Sequence, residues 1–360
     1  MIVGIIGGGQ LARMLALAGH PLGVRCLFLD PAPDACARSV GELILGDYDD
    51  SALLDQIAQR AQVVTYEFEN VPADSLQYLA ARTTVHPTAS ALQVARDRWH
   101  EKQLFVELGI PTPRFMAVDS PGDLETAVAT IGLPAVLKTR TLGYDGKGQR
   151  VLRTVADLAD ALATWGGSPL ILEGFVPFSR ELSVIAVRGL TGDTKFYPLN
   201  ENIHKDGVLA QSVSRPGDPM TARAEDYARR LLDRLGYVGV LALELFQEGD
   251  TLFANEMAPR VHNSGHWTIE GAETSQFENH MRAILGLPLG STDPLWSAGM
   301  VNFIGRLPDT AQVLGVPGAH MHVYGKEARP GRKLGHATVR AHDEGALRQA
   351  LAQLQVLARP

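Results

Sequence analysis

GIIGGGQLARM, residues 4–14, follows an apolar start and decides how the first part of the chain is read. MIVGIIG has the composition of a buried strand and QLARMLALAGH the spacing of a helix, so the glycines stand at a strand-to-helix turn. Gly7-Gly8-Gly9-Gln10-Leu11-Ala12 satisfies the G-x-G-x-x-G/A dinucleotide fingerprint. Asp30 in CLFLD supplies the acid that this fingerprint places about twenty residues on. Outward from the turn, strands and helices alternate: VRCLFLD, then DSALLDQIAQR with Leu53, Leu54, Ile57 and Ala58 on one face, AQVVTYEF, ADSLQYLAAR and a short closing strand, TVHP. That alternation predicts a parallel, doubly wound sheet, so residues 1–95 read as one Rossmann-like domain. Taken alone, the fingerprint points to a nicotinamide cofactor.

The 360 residues, 45% hydrophobic and 20% charged, suit a globular protein of two or three domains. A net charge of -7 argues against a general nucleic-acid or anionic-membrane surface. There is no basic leader pattern and no run of about eighteen apolar residues, and Cys26 and Cys36 form neither a metal spacing nor a disulfide framework. A cytoplasmic enzyme is expected. Lysine is scarce, 7 against 26 arginines, which makes each lysine worth locating.

Beyond residue 95 the pattern changes. FMAV, PAVLKT, QRVLRT and PLILEGF read as short strands interrupted by the helices DLETAVATI and VADLADALATW, the latter with Val155, Leu158 and Leu162 in helical register. ELSVIAVRG, TKFYPLNENIH, GVLAQSVSR, VGVLALELF and TLFANEMA then crowd together as a largely antiparallel sheet beside the helix AEDYARRLLDRLG. A tail contributes MVNFIG, HMHVYG and a closing helix, EGALRQALAQLQ. The expected division is 1–95, 96–290 with a small lid over about 115–178, and 291–360 as a C-terminal substrate-binding segment packed on the antiparallel sheet.

Five stretches bear on chemistry. In LALELFQEGDTLFANEMAPR, QEGD marks a hairpin turn between Glu244 and Glu256. A three-residue loop would set these two acids opposite each other, and a two-residue loop would leave them one step apart. Opposed like charges on a sheet are destabilising, and a Mg²⁺ ion sharing phosphate oxygens resolves the conflict; two solvated acids are the alternative. TRTLGYDGKGQ joins two strands through Gly143, Gly146 and Gly148, which alone reads as an ordinary hairpin turn; Lys138 leading into it shifts the reading toward a loop whose backbone can close over phosphates. It is not a Walker A loop, since Lys147 lacks a following Ser or Thr. PLILEGFVPFSRELSV runs an apolar strand into Glu173-Gly174-Phe175-Val176, with Glu181 beyond. KEARPGRKLGH gathers Lys326, Arg329, Arg332 and Lys333 around a Pro-Gly turn, an arrangement suited to an anion, with a solvated charge run as the alternative. In RVHNSGHWT, Asn263-Ser264-Gly265 breaks any helix between His262 and His266, so substrate hydrogen bonding or loop packing is expected there in preference to zinc.

Taken in order, GGGQLARM, TYEFENV, KTRTLGYDGKGQ, EGFV, NENIHKDGVL, ALELF…NEMAPRVHNSGHWT and KEARPGRKLGH resemble the ATP-grasp superfamily across essentially the whole chain. Within it they resemble the 5-(carboxyamino)imidazole ribonucleotide synthase family of purine biosynthesis. Five of the seven lysines fall inside these motifs, as expected where lysine is kept for chemistry. The resemblance implies an ATP-grasp fold behind an N-terminal Rossmann-like domain, and a carbon–nitrogen ligase. ATP would phosphorylate bicarbonate to carboxyphosphate, whose carboxyl passes to the exocyclic amine of 5-aminoimidazole ribonucleotide. It further implies that Arg98 and Lys138 meet ATP phosphates beneath a loop of Gly143, Tyr144, Asp145, Gly146, Lys147, Gly148 and Gln149. Glu173, Gly174, Phe175, Val176, Glu181 and His204 would hold adenine and ribose. Glu244 and Glu256 would bind Mg²⁺, or Mn²⁺ in its place, with Asn255 beside them, and Arg260 would steady bicarbonate. The ribonucleotide would meet Gln10, Leu11, Glu67, Tyr144, His262, Asn263, Ser264 and His266, with its phosphate at Lys326, Arg332 and Lys333. Asp145, Arg260 and Lys326 would be the catalytic residues, Asp145 handling the proton of the amine. A homodimer is implied as well. Many ATP-grasp enzymes carry E-x-N-x-R after the second metal acid; here Ala258 stands at the Asn position, a form that resembles this family in particular. Another ATP-grasp ligase, such as a formate-dependent glycinamide ribonucleotide transformylase or a biotin carboxylase, accounts for the middle of the chain but not for KEARPGRKLGH. A nicotinamide oxidoreductase accounts only for residues 1–30.

Overall fold

A computed structural model describes residues 1–143, 148–165 and 167–359. The first sheet is parallel throughout, in the order Glu42–Leu45, Arg25–Asp30, Ile2–Ile6, Val63–Tyr66. TVHP adds only a single parallel bridge, Val85 to Val64, in place of the expected strand. The helix Gln10–Gly19 rises from the glycine turn and buries Leu11, Met14 and Leu15. These residues share one core with Phe277, Met281 and Ile284, which belong to the helix Gln276–Ile284 far along the chain. The turn therefore opens at the seam between the N-terminal sheet and the rest of the molecule.

A second, four-stranded sheet is antiparallel in the order Phe115–Val118, Leu170–Gly174, Ala135–Thr139, Gln149–Leu152, and forms the lid with the helices Pro121–Ile131 and Ala156–Trp165. Val155, expected on the buried face of the latter helix, precedes it and is 70% exposed, whereas Leu158 is buried.

The largest sheet has nine strands, all antiparallel. Its path runs Thr251–Ala258, Gly239–Glu248, Arg180–Arg188, Leu199–Lys205, Val208–Arg215, Ser297–Ile304, Lys333–Ala341, Ala319–Val323, with Thr194–Phe196 paired to Arg180–Arg188. Lys333–Ala341 is a strand the sequence pattern hides, because its start overlaps the cationic Pro-Gly turn. It lies between Ser297–Ile304 and Ala319–Val323, so the tail extends the same sheet. Among the described residues no helix is long and apolar enough to cross a membrane.

Candidate active site

The acidic hairpin turns through two residues, Gly249 and Asp250, with Glu248 paired to Thr251 and Gly249 in the left-handed region at φ +56°. From there the register runs Gln247↔Leu252, Phe246↔Phe253, Leu245↔Ala254, and would set Glu244 opposite Asn255, one residue short of Glu256. A bulge between Glu244 and Leu245 on one strand, taking up Asn255 on the other, resets it, so that Glu244 faces Glu256. The two-residue loop and the opposed acids therefore coexist, a combination that neither loop length predicts alone. A bulge frees backbone groups from the ladder, and these are taken up by Lys102. Its ammonium, fully buried, donates to Ala254 O at 3.2 Å and Asn255 O at 2.7 Å and lies 3.3 Å from Glu173 Oε2. Lys102 has no role in the sequence-derived site, although the scarcity of lysine was a signal that pointed to it.

Glu173 is shared by two ammonium groups, since Lys138 Nζ donates to it at 3.0 Å and also reaches Asn255 Oδ1 at 3.4 Å. Burial alone would raise the Glu173 carboxyl, but Lys102 and Lys138 outweigh it and hold the group down at about 2. The side chain of Glu173 is thus engaged by lysines, while Gly174, Phe175 and Val176 beyond it line the cavity. Phe178 and Phe246, stacked at 4.7 Å, continue that apolar wall; the sequence pattern marks neither. Glu181 pairs with His204. Burial works against the charged imidazole, yet Glu181, Glu244 and Glu256 together raise its pKa.

Burial first, and Glu256 second, push the Glu244 carboxyl up to about 7. Arg98 Nη2 lies 3.5 Å from Glu256 Oε2, and His262 Nε2 lies 3.2 Å from Glu244 Oε1. Glu101, which accepts from Met257 N at 2.6 Å, is pushed up to about 8 by burial and then by Glu256. A region that resists ionisation of its own acids is short of positive charge, and a divalent cation fits it. Among the described residues no three His, Cys, Asp or Glu side chains converge as a metal cage, so phosphate oxygens would complete the shell of an ion on Glu244 and Glu256.

The raised acids carry a pH consequence. Glu101 keeps its proton in the folded protein up to about 8 but ionises near 4.5 in the unfolded chain. Its contribution to stability is therefore complete below 4.5 and lost as pH rises through 8. Glu101→Gln is expected to flatten the decline of Tm over that window, measured by calorimetry without nucleotide; an unchanged slope would show that Glu101 ionises normally.

The fingerprint turn is already occupied. Gly9 N donates to Glu67 Oε1 at 2.5 Å and Ala12 N to Oε2 at 3.0 Å, so a carboxylate of the chain takes the anion position at the helix N-terminus. Asp30 accepts from Gly8 N, Ala32 N and the Tyr48 hydroxyl, which makes it a brace of the turn and not merely a strand-end acid. A Cβ on Gly9 would lie 2.3 Å from Glu67 Oε1. Moving Glu67 away would strand two buried donors, so Gly9→Ala is expected to cost about 1–3 kcal/mol in urea unfolding. Lys326 reaches across from the tail to Gln10 Oε1.

One cavity of about 740 Å³ connects all of this. Gln10, Leu11, Glu67, Lys326, Lys333 and Asn263 line it together with Arg98, Lys138, Gly143, Gln149, Glu244, Asn255 and Glu256, as does His262, 3.2 Å from Glu244. Both Nδ2 and Oδ1 of Asn263 are buried with no hydrogen-bond partner among the described residues. Arg260 is paired with Glu69 at 2.5 Å, with its Nε unpartnered. Ser264 and His266 are buried beneath the cavity and do not line it, and Arg332 donates to Glu327 O within its own loop. Gly148 sits at the edge of the glycine loop, and Tyr144, Asp145, Gly146 and Lys147 lie outside the described residues.

A lid sheet over an antiparallel sheet, meeting at buried lysines and an acidic hairpin, defines an ATP-grasp enzyme, and an ATP-grasp domain family matches residues 103–277. A ribonucleotide synthetase preATP-grasp domain matches residues 1–96, and a phosphoribosylaminoimidazole carboxylase C-terminal domain matches 298–350. N5-carboxyaminoimidazole ribonucleotide synthase of Pseudomonas aeruginosa is 58% identical over 99% of both chains. The crystal structure of N5-carboxyaminoimidazole ribonucleotide synthetase from Thermus thermophilus is 56% identical, with a TM-score of 0.94 over 99% of this chain and 98% of that one. N5-carboxyaminoimidazole synthase from Aspergillus clavatus, solved with ADP and 5-aminoimidazole ribonucleotide, is 31% identical, with a TM-score of 0.92 over 99% and 98%. The chain belongs to the N5-carboxyaminoimidazole ribonucleotide synthase family of ATP-grasp ligases.

Proposed function

We propose that the chain uses ATP and bicarbonate to carboxylate 5-aminoimidazole ribonucleotide at its exocyclic amine, releasing ADP and phosphate. The observation that carries this reading is a single cavity joining the opposed Glu244 and Glu256 to Lys326, Lys333 and the unpartnered amide of Asn263. A phosphoryl-transfer end thus adjoins an end suited to a polar, anionic second substrate. A bicarbonate oxygen attacks the γ-phosphorus while the bond to ADP breaks, giving carboxyphosphate. The carbon–oxygen bond to phosphate then breaks to release phosphate and CO₂, the exocyclic nitrogen bonds to the CO₂ carbon, and the nitrogen loses a proton, for which Asp145 is assigned.

Arg98 and Lys138 neutralise the ATP phosphates, and the strand end at Glu173 to Val176, with Glu181 and His204, receives adenine and ribose. Glu244 and Glu256 hold Mg²⁺, or Mn²⁺ in its place, with Asn255 beside them; the ion supplies charge neutralisation on the phosphates. Arg260 orients bicarbonate, and Gln10, Leu11, Glu67, Tyr144, His262, Asn263 and the cations Lys326, Arg332 and Lys333 receive the ribonucleotide. Carboxyphosphate is water-labile, which gives a glycine loop closing over the site its purpose. The enzyme works in the cytoplasm as a homodimer. ADP release with Mg²⁺-ATP, varying bicarbonate and the ribonucleotide separately, tests the assignment. Dependence on both is expected; ADP release indifferent to the ribonucleotide would refute it.

A further inference from the structure

The two cations assigned to the ATP phosphates come from different parts of the molecule. Lys138 lies near the end of the lid strand Ala135–Thr139, whereas Arg98 opens the helix Arg98–Glu107. One nucleotide can meet both only if the lid and this helix keep a fixed spacing. The helix is fastened to the large sheet, since Glu101 accepts from Met257 N and Lys102 donates to Ala254 O and Asn255 O. It also carries the lid: Trp99 packs edge-on against Phe115, with ring centroids 5.3 Å apart, and Lys102 pairs with Glu173. The tie nearest Lys138 is made at the helix start. Arg98 N donates to Arg140 O at 2.9 Å, and Arg98 Nη1 donates to Thr139 O at 3.1 Å. In the opposite direction, Arg140 Nε donates to Asp97 Oδ1 at 3.0 Å and its Nη2 to Oδ2 at 2.6 Å. Four hydrogen bonds therefore lock residues 97–98 to residues 139–140. Asp97 also accepts from Trp99 N at 2.8 Å, so the carboxylate that caps the helix is the one that grips the lid strand.

We infer that Asp97 and Arg140 are positioning residues for the nucleotide: their two-pronged pair seats the end of the lid strand on the helix start and holds Lys138 and Arg98 at the spacing that one polyphosphate bridges. Neither Asp97 nor Arg140 lines the cavity, so both act through their neighbours. The inference rests on Arg98 and Lys138 meeting the ATP phosphates in the proposed function. The pair is largely sheltered, with the two side chains 17% and 18% exposed. Burial alone would raise the Asp97 carboxyl, but its bonds to Arg140 and to Trp99 N outweigh that and hold it below the usual range. The remaining guanidinium nitrogen, Nη1, lies 4.0 Å from Asp119 within the lid, so Arg140 leans on both sides of the joint. Only a planar fork can engage both carboxylate oxygens in this way, and an ammonium in its place is a single point charge. Misplacement of a binding group by about 1 Å can cost as much as 10²-fold.

The test separates phosphate recognition from stability. ADP and AMP, each with Mg²⁺, are titrated into the protein by calorimetry. AMP keeps the adenine and ribose but has a single phosphate, so the preference for ADP over AMP reports how well the two cations are aligned. Arg140→Met is expected to reduce that preference about tenfold. Arg140→Lys, which keeps the charge without the fork, should recover only part of it. Asp97→Ser retains a good helix cap and is expected to show the same loss as Arg140→Met. The double variant Asp97→Ser/Arg140→Met should lose no more than either single one, because both remove the same tie. A preference unchanged in Arg140→Met and Asp97→Ser would overturn the inference, and so would losses that add in the double variant. Equal weakening of ADP and AMP would also overturn it, since a pair that serves only the stability of the lid affects both. Wild-type protein that binds ADP no better than AMP would refute the phosphate role of Arg98 and Lys138 itself, and the inference would fall with it. A wild-type preference that survives in the variants overturns the inference alone.

Discussion

Glu256→Gln is expected to abolish ADP formation, by about 10³-fold or more, with the far-UV and thermal signatures of the fold intact. The size follows from what the carboxylate faces. Glu256 is opposed to Glu244 across a bulged pair, and Arg98 is the cation beside it at 3.5 Å. Phosphoryl transfer depends mainly on charge neutralisation and alignment, and loss of a single preorganised electrostatic partner costs about 10²–10³ in such reactions. On the proposed reading of Glu244 and Glu256 as the cation ligands, the substitution would also remove one of the two carboxylates that hold the ion. The substitution relieves like-charge repulsion on Glu244, so the Glu244 carboxyl should titrate below its present value of about 7. Steady-state ADP release and a thermal melt of the same preparation make the check. Retained activity would mean that the opposed acids serve only the surface.

Lys102→Met is expected to be strongly destabilising, at about 3–5 kcal/mol. The ammonium is 0% exposed and serves Ala254 O, Asn255 O and Glu173 together. Methionine fills the volume but leaves Asn255 O without its ammonium donor, Ala254 O with the Thr112 hydroxyl, and Glu173 with Lys138 as its remaining lysine partner. Because Glu173 belongs to the lid sheet and Asn255 to the large sheet, the loss should also loosen the seam between them. Urea unfolding gives the stability change. The KM for ATP should rise even where the variant remains folded, and Lys102→Arg should recover stability better than it recovers KM, since a planar fork cannot reproduce three divergent donors. A near-neutral Lys102→Met would show that the bulge holds without its lysine clamp.

Much of the site was legible in the chain because its parts are local. Lys138 entering a glycine loop, the acids flanking QEGD and the cations around Pro330-Gly331 are each contained within a single strand–turn–strand unit, where composition and period carry the signal. Whole-chain family motifs then assigned chemistry to those parts. The hidden strand Lys333–Ala341 shows the limit: a glycine and charged flanks mask a segment that burial on both faces turns into a central strand.

Residue pattern alone was enough to establish the strand–helix alternation of the N-terminal sheet, the antiparallel character of the larger sheet and the residue types available for ATP chemistry. What those residues touch is a product of the assembled fold. The glycine fingerprint was read correctly as a strand–turn–helix, but its anion position is filled by Glu67, 58 residues from Gly9. The opposed acids depend on a bulge clamped by Lys102, 153 residues from Asn255. The buried Trp267 indole finds its acceptor on Asn200, 67 residues away. Local propensity acts over a few residues, whereas these partnerships are created by sheet order and burial. Burial leaves each polar group with the few partners the fold brings within reach.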